Sequence, residues 1–94
     1  MYKLDFDTRA KKEFDRLGAT MRLRFQKNLM DRLHNPRVEA DRLSDMPDCY
    51  KIKLRSAGFR LVYRVFDDRI VVQVIAVGKR DKDEAYNDAA KRVG

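Results

Sequence analysis

The segment YKIKLRSAGFRLVYRV, which spans residues 50–65, alternates apolar and polar side chains on both sides of a short turn. This period of two predicts a pair of β-strands, each with one buried face, joined as a hairpin around residues 56–58. If Leu54 pairs with Phe59, then Tyr50 and Tyr63 face each other on the same buried side. A slip of one residue would carry lysines into the core, so burial of the apolar side chains fixes this register.

The opposite face of the hairpin is expected to be strongly basic. Its polar positions hold cations alone: Lys51, Lys53, Arg55, Arg60 and Arg64. Residues that share a face of one strand lie about 6.6 Å apart, so these five are predicted to form one compact patch. Like charges on neighbouring strands repel each other, and this cost indicates an external polyanion as partner. The alternative interpretation is a solvated strand face whose lysines discourage edge-to-edge aggregation.

The N-terminal half of the chain is predicted to form a strand and two helices. Residues 2–6 alternate as a half-buried strand. Apolar residues at helical spacing follow in a first helix that ends at Gly18 and a second helix that ends before Pro36. Asp7 is a candidate N-cap for the first helix and Thr20 for the second. The short turn between the helices indicates an antiparallel helical hairpin.

The C-terminal half completes the element order β-α-α-β-β-β-α. Residues 70–77 are apolar on both faces, which is typical of a covered central strand. The pair at 67–68, Asp-Asp, is expected to make the preceding turn with a positive φ. Asp81 and Glu84 have capping-box spacing at the start of a last helix. These patterns predict an α+β fold: a small, mostly antiparallel sheet with the helical hairpin on one face, plus a short C-terminal helix.

The composition is that of one small basic domain covering residues 1–94. Lys and Arg number 22 against 15 Asp and Glu, which gives a net charge of +7 at pH 7. This excess favours nucleic acid, an anionic surface or an acidic protein as partner, and charge alone does not choose among them. Cys49 is the one cysteine, and no apolar run has the length of a membrane span. We therefore expect a cytoplasmic protein with no membrane partner.

Three stretches of the chain resemble the RelE toxins, which belong to the RelE/ParE superfamily of bacterial type II toxin–antitoxin systems. They are residues 46–56 (MPDCYKIKLRS), 58–63 (GFRLVY) and 77–80 (VGKR). The likeness extends from Leu4 to Tyr86. It implies a microbial-ribonuclease-like fold and an mRNA interferase, an endoribonuclease that cleaves mRNA in the ribosomal A site and so inhibits translation. It also implies neutralisation by a RelB-type antitoxin, through which the complex binds operator DNA.

The same resemblance implies the site residues. The catalytic cluster falls on Lys51, Lys53, Arg60, Arg80 and Tyr86. RNA-binding side chains are expected at Lys51, Lys53, Arg55, Arg60, Arg64, Lys79 and Arg80, with ribosome-bound mRNA and small-subunit rRNA as the RNA partners. The chain departs from the family pattern at Phe59, where tyrosine is frequent, and at Gly94, where an apolar residue is expected. We expect the second change to loosen the helix that carries Tyr86.

Cleavage of RNA by its own 2′-OH requires a base, an acid for the leaving 5′-oxygen, and cations for the charge of the phosphorane. The one histidine, His34, lies far from the basic patch in sequence and is expected to interact with the dipole at the end of the second helix. The acid and base are therefore sought among Lys, Arg and Tyr, unless a carboxylate distant in sequence folds into the site. Crowded cations lower the pKa of Lys and Tyr, which favours a base at neutral pH.

The predicted roles follow from these requirements. Tyr86, with Lys51, is assigned to activating the 2′-OH, and Arg60 to stabilising the transition-state charge. Either Arg80 or Lys53 protonates or supports the leaving oxygen, although arginine is a weak acid catalyst because it holds its proton tightly. A substrate that arrives already bent for in-line attack would compensate for weak acid–base groups, by up to about 7–11 kcal/mol.

Other functions fit parts of the same pattern. A ParE-like toxin would act on gyrase, or on the ribosome, without cleaving RNA. A basic RNA-binding or ribosome-binding module would carry out no chemistry at all. A metal-dependent nuclease is least favoured, because turns and helix caps account for the acidic groups at 67–68 and 81–84. We therefore expect no metal ion and no cofactor.

Overall fold

The computed structural model describes residues 1–93 and places four strands in one mixed sheet. The strands are β1 (Lys3–Phe6), β2 (Cys49–Leu54), β3 (Phe59–Phe66) and β4 (Val71–Lys79), and the helices are α1 (Thr8–Asp15), α2 (Ala19–His34) and α3 (Glu84–Val93). The sheet order is β1-β4-β3-β2. Strand β1 runs parallel to β4, and the other two pairs are antiparallel. The predicted α+β class and element order are confirmed.

The central hairpin of β2 and β3 has the predicted register. Leu54 pairs with Phe59, Lys53 with Arg60, and Tyr50 with Tyr63. The rings of the two tyrosines stack with their centroids 5.7 Å apart. The turn between the strands is a short 3₁₀ segment, Arg55–Ala57, closed by Gly58 at φ 67°, which is a conformation that glycine adopts without strain.

The two faces of the sheet are covered by different helices. Helices α1 and α2 bury Phe14, Phe25 and Leu29 against one face, in a core that includes Leu61 and Tyr63. Helix α3 covers part of the other face with a smaller apolar cluster. The part of that second face which α3 leaves uncovered carries the basic side chains of the hairpin. The helical hairpin on one face and the C-terminal helix therefore lie where the fold class requires them.

A β-bulge in β4 changes which side chains face each helix. Val62 pairs with Ala76 and Tyr63 pairs with Val74, so Ile75 is an extra residue between them. Both Ile75 and Ala76 consequently pack on the α3 side of the sheet. Such a bulge bends the strand and resets its alternation.

Three predicted turn and cap details are wrong. Gly18, expected at the end of α1, instead precedes α2 with an extended backbone, so Thr20 does not cap that helix. The positive φ expected in the pair at 67–68 occurs at Ile70. Helix α3 begins at Glu84 rather than after an Asp81 cap, because Asp81 lies in a short 3₁₀ segment that Asp83, at φ 50°, separates from the helix. Asp7, by contrast, caps α1 as predicted.

Helix α3 is fastened to the rest of the fold by an ion pair near its C-terminal end. The Arg92 guanidinium donates to both carboxylate oxygens of Glu13 at 2.9 and 2.8 Å, and to the carbonyl oxygen of Ile75 at 2.9 Å. Glu13 also accepts from the backbone N–H of Val77 at 3.1 Å. The expected loosening concerned Gly94, which lies outside the described residues. Up to Val93 the helix is continuous and held by Arg92.

Two further features concern the helices and the cysteine. No helix within residues 1–93 is both long enough and apolar enough to cross a membrane. The Cys49 side chain is buried in the α3 cluster, and this burial raises the pKa of its thiol to about 11. A thiol with so high a pKa is a poor nucleophile, so Cys49 serves packing.

Removing the Glu13 carboxylate should destabilise the fold measurably. Glu13→Ala leaves the Arg92 guanidinium, only 10% exposed, without its main partner, and we expect a loss of about 2–3 kcal/mol in the free energy of unfolding. Urea denaturation followed by circular dichroism measures it. Asp15→Ala on the same helix is the control, because the Lys11–Asp15 pair is half exposed and should contribute less than about 0.5 kcal/mol. Equal losses in both variants would contradict the role of Glu13.

Candidate active site

The basic face of the hairpin brings Lys51, Lys53 and Arg60 together. Residues at alternate positions of a strand point to the same side, so Lys51 and Lys53 share one face of β2. Lys53 pairs directly with Arg60 on β3, and Arg60 in turn pairs with Gly78 on β4. Lys53, Arg60 and Gly78 therefore lie next to one another on β2, β3 and β4, and the last of the three has no side chain.

A cleft of about 250 Å³ lies over this row. It is lined by Lys53, Leu54, Arg55, Phe59, Arg60 and Arg80. Arg80 reaches the cleft from the end of β4, where its backbone N–H donates to the carbonyl oxygen of Gly58 at 2.8 Å. Four cations from three different parts of the chain thus converge on one concave surface: Lys53 and Arg55 at the end of β2, Arg60 on β3 and Arg80 after β4.

Gly78 allows helix α3 to fold back beside the cleft. A Cβ atom at this position would lie 2.7 Å from Cβ of Glu84 and 2.9 Å from the backbone nitrogen of Ala85. Real side chains do not approach so closely, so the first turn of α3 fits here because residue 78 is glycine. Gly78 was expected from the sequence to break the last strand, but β4 continues through it to Lys79, and the role of this glycine is the close approach of the helix.

Tyr86 lies on the first turns of α3 and contacts Arg60. The Arg60 guanidinium carbon is 5.0 Å from the centroid of the Tyr86 ring, a cation–π distance. Nη1 of Arg60 lies 3.7 Å from Oδ1 of Asp83. Arg60 is therefore held between the tyrosine and the carboxylate. The structure brings all five predicted catalytic side chains to one side of the sheet.

Among the five catalytic candidates, the pKa shift of one residue, Tyr86, has the opposite direction to the predicted one. The positive charge of Lys51, the largest influence, lowers the pKa of Lys53, and Arg55 and Arg60 act in the same direction. For Tyr86 the prediction is wrong: burial raises the pKa of the phenol, and this effect exceeds the lowering by Arg60. The free protein therefore holds Tyr86 as a neutral phenol more firmly than an exposed tyrosine.

The other predicted RNA-binding residues divide into two groups. Arg55 lines the cleft, and Lys79 lines an adjoining hollow together with Arg80 and Gly58. Arg64 does not line the cleft. It lies four residues from Arg60 along β3, a distance of about 13 Å at the usual rise per residue, and its guanidinium stacks on the Phe66 ring at 4.9 Å. The patch is therefore less compact than predicted.

A polar network beneath the site was not predicted. Arg32 of α2 donates to Asp41 at 2.6 Å, to the Tyr63 hydroxyl at 2.8 Å and to the carbonyl oxygen of Lys51 at 3.3 Å. The Tyr63 hydroxyl donates to the carbonyl oxygen of Pro36 at 2.6 Å. No pattern in the sequence singles out Asp41 or Asp83. Their partners, Arg32 and Arg60, are not related to them by helical or strand spacing.

Acidic and metal-ligating side chains are dispersed in this protein. Within residues 1–93, no group of three or more His, Cys, Asp or Glu side chains is arranged to hold a metal ion. His34 is the last residue of α2, as expected for an interaction with the helix dipole. The cleft itself is lined by one lysine and three arginines, and Tyr86 and Asp83 lie beside one of these, Arg60.

Comparison with known proteins identifies relatives along the whole chain. A family model described as the ParE toxin of the type II toxin–antitoxin system parDE matches residues 4–84. The mRNA interferase toxin RelE of Escherichia coli strain K12 is 56% identical over 92 residues, which cover 98% of this chain and 97% of that protein. A putative RelE-like toxin protein from Escherichia coli is 41% identical over the same length.

Solved structures give the same result. The free form of an E. coli RelE double mutant has a TM-score of 0.92 and 55% identity, covering 99% of this chain and 98% of that chain. A chain of the intact E. coli RelBE toxin–antitoxin complex has a TM-score of 0.82 and 58% identity, covering 84% and 96%. The resemblance of the sequence to RelE toxins is thereby confirmed.

Removing the charge of Lys51 should raise the pKa of Lys53. In the wild-type protein the neutral amine of Lys53 is expected to appear at a lower pH than for an ordinary lysine, because its neighbours disfavour the charged form. In Lys51→Met the titration should shift to higher pH. The measurement is NMR titration of the lysine side chains.

Lys3→Met on β1 is the control for this titration, since Lys3 belongs to the opposite edge strand of the sheet. It should leave the Lys53 titration unchanged. An unchanged Lys53 titration in Lys51→Met would show that the two amines do not interact.

Proposed function

Because this chain belongs to the RelE/ParE family of toxins from type II toxin–antitoxin systems, we propose that it is a ribosome-dependent endoribonuclease, an mRNA interferase. It cleaves mRNA in the ribosomal A site and so inhibits translation. The observation that carries this proposal is the convergence of Lys53, Arg60 and Arg80 on one cleft, with Tyr86 stacked against Arg60. In this proposal a single phosphodiester lies between cations that come from β2, β3 and the end of β4.

The proposed reaction is an internal transesterification. The 2′-oxygen of the ribose forms a bond to phosphorus, and the bond from phosphorus to the 5′-oxygen of the next nucleotide breaks. The proton of the 2′-OH passes to a base, and the leaving 5′-oxygen takes a proton from an acid. The products are a 2′,3′-cyclic phosphate and a free 5′-OH. The cleft supplies cations where charge develops on the phosphorane, so no metal ion is assigned a role.

The structure favours Lys53 over Arg80 as the proton donor to the leaving oxygen. A lowered pKa makes the Lys53 ammonium a stronger acid than an ordinary lysine, and general acids work best when their pKa is near the working pH. Arginine holds its proton too tightly for this role. We assign Arg60 and Arg80 to stabilising the charge on the phosphorane oxygens, a role suited to their planar, multiply donating guanidinium groups.

We keep Tyr86 and Lys51 as the residues that activate the 2′-OH. Burial raises the pKa of Tyr86, which makes the phenolate harder to form than predicted. Tyr86 is therefore better suited to accepting and passing on a hydrogen bond than to standing ionised in the free protein. Lys51 is the second candidate for the proton acceptor at this position.

The ribosome enters the proposal through positioning. Lysine, arginine and a neutral phenol are weak acid–base catalysts at neutral pH, whereas holding the RNA for in-line attack can supply up to about 7–11 kcal/mol. Messenger RNA bound in the decoding site, against small-subunit rRNA, is held in a defined shape. Free messenger RNA is flexible, so the same cleft should act on it slowly.

The partners and location complete the proposal. The RelE chain of E. coli has been solved with the antitoxin RelB, and we propose that a RelB-type antitoxin neutralises this chain in the cytoplasm. Operator DNA would be bound only through that complex. Residues 1–94 would act as a single toxin domain, with no cofactor.

Arg80→Ala should separate catalysis from binding. We expect it to lower the rate of mRNA cleavage on programmed ribosomes by about 10²- to 10³-fold, as losses of one charge-stabilising donor do elsewhere, while sedimentation with ribosomes stays nearly unchanged. Arg16→Ala, at an exposed arginine that does not line the cleft, is the control and should keep both properties. Parallel losses of cleavage and of binding would make Arg80 a docking residue.

Programmed ribosomes and naked mRNA distinguish the proposed enzyme from an interaction toxin. The expected result is one dominant cut in the A-site codon with a 2′,3′-cyclic phosphate end, and cleavage of naked RNA at least about 10³-fold slower if positioning supplies the larger part of the rate. Product ends are identified by mass spectrometry. Rapid cutting of naked RNA at many positions would refute the positioning argument, and growth inhibition without any RNA cleavage would favour the ParE-like alternative.

A further inference from the structure

One carboxylate lies beside the cations of the cleft, and the proposed reaction gives it no role. Four cations line the cleft, and within residues 1–93 Arg60 is the one of them that forms an ion pair. Its partner is Asp83, with Nη1 of Arg60 3.7 Å from Oδ1 of the carboxylate. This distance is too long for a hydrogen bond, so the two charges attract each other without a fixed contact.

The backbone fixes the position of Asp83. Its φ of 50° and ψ of 32° lie in the left-handed region, which aspartate and asparagine adopt more readily than most other residues. The N–H of Asp83 donates to the carbonyl oxygen of Arg80 at 3.1 Å, and its own carbonyl oxygen accepts from the N–H of Asn87 at 2.9 Å. The turn that starts α3 therefore also places a carboxylate beside Arg60.

The two partners differ in how firmly they are held. Only 18% of the Arg60 side chain is exposed, against 65% of the Asp83 side chain. Arg60 also contacts the ring of Tyr86, whose centroid lies 5.0 Å from its guanidinium carbon. The carboxylate can therefore swing out into solvent while the guanidinium stays in the cleft.

A phosphodiester competes with Asp83 for the same guanidinium. It has one negative charge and two unesterified oxygens, which accept two parallel hydrogen bonds from an arginine at about 2.7–2.9 Å. These bonds are shorter than the Arg60–Asp83 separation, and the other three cations of the cleft add their charges to the attraction. The phosphate is therefore the stronger partner of Arg60, and the carboxylate is the weaker one that it replaces.

The charge of Asp83 also acts on Tyr86. Burial has the largest influence and raises the pKa of the Tyr86 phenol, and the negative charge of Asp83 acts in the same direction. Arg60 acts in the opposite direction. Asp83 therefore influences both members of the Arg60–Tyr86 contact, as expected of a carboxylate that lies within the site.

We propose that Asp83 is an internal counter-ion of Arg60, which a phosphate of the RNA has to displace. An RNA that enters the cleft does not gain the part of the attraction that Asp83 already satisfies. The contact therefore lowers the affinity of the cleft for RNA that nothing else holds in place. The inference rests on the proposed function, because it takes the cleft to bind an RNA phosphate.

The test measures the affinity for a fluorescent hexanucleotide with 2′-O-methyl groups, which cannot be cleaved because it lacks the nucleophile. Asp83→Asn removes the charge and keeps a residue that tolerates the left-handed backbone. Its affinity, measured by fluorescence anisotropy, should exceed that of wild type about two- to fivefold, the usual contribution of one partly exposed ion pair. Asp83→Gly tolerates the same backbone and should show the same increase. A folded variant that binds no more tightly than wild type would overturn the proposal.

Asp68→Asn is the matched control for the loss of one negative charge. Asp68 is exposed in the turn after β3, and Phe66 at the end of that strand lies about 20 Å from Arg60 at the usual rise per residue. Charges so far apart are screened at about 0.15 M salt, so the RNA affinity should stay at the wild-type value. An equal increase in Asp68→Asn would show that net charge alone sets the affinity, and the counter-ion would be refuted.

Removing Arg60 tests whether Asp83 acts through it. In the Arg60→Gln background, Asp83→Asn should leave the RNA affinity unchanged, because the guanidinium that couples the two effects is absent. An undiminished increase would mean that Asp83 repels RNA directly, contrary to the proposal. The carboxyl ¹³C signal of Asp83 gives a second readout, since it should shift when the hexanucleotide displaces Asp83 in the wild-type protein. A signal that stays in place at saturation would contradict the displacement.

The binding measurements separate this inference from the nuclease proposal. The expected affinities in a protein that cleaves no RNA would support the counter-ion while overturning the nuclease. Unchanged or weaker RNA binding by Asp83→Asn, in a protein that cleaves mRNA on programmed ribosomes, would overturn the counter-ion and leave the nuclease intact. Loss of cleavage with unchanged RNA binding would make Asp83 a proton acceptor, and this outcome also overturns the counter-ion.

Discussion

The alternation of the β2–β3 hairpin is the constraint on which the rest of this structure depends. Burying one large apolar side chain contributes about 1.5–3 kcal/mol, and Ile52, Leu54, Leu61 and Tyr63 all lie buried on one face. Opposed like charges on a strand pair cost less, within about 1 kcal/mol per pair. Burial therefore decides the register, and the cations are left together on the other face, with their repulsion relieved in part by Asp83 beside Arg60. A phosphate backbone would neutralise the rest.

The site also needs contacts that bring the end of the chain back over the sheet. The bulge at Ile75 resets the alternation of β4, so that Gly78 lies beside Arg60 rather than turned away from it. The missing side chain at Gly78 leaves room for the first turn of α3. Arg92 fastens the other end of the helix to Glu13. Gly78 and Arg92 thus position the two ends of α3, and this places Tyr86 in contact with Arg60.

The features that could be predicted from the sequence are those that follow from the spacing of its apolar residues and from their burial. The hairpin register and the clustering of Lys51, Lys53 and Arg60 follow from strict alternation. The bulge could not be predicted, because residues 70–77 are apolar on both faces and any parity satisfies them. The rise in the pKa of Tyr86 depends on desolvation by a helix packed against a sheet, which no local pattern reports. The Arg32–Asp41 pair could not be predicted, because Asp41 lies within residues 37–48, a region without periodicity.

Lys53 borders the cleft, and its pKa depends on the charges that surround it there. In the free protein Lys51, Arg55 and Arg60 lower its pKa, and Asp41 acts in the opposite direction. A phosphate in the cleft brings negative charge, which favours the protonated amine and raises that pKa again. The repulsion of the neighbouring cations and the attraction of the phosphate therefore act in opposite directions on the pKa of the group assigned to the leaving oxygen. The repulsion that burial imposes on the free toxin makes its lysine responsive to the substrate, and weak acid–base residues become adequate once the RNA is correctly placed.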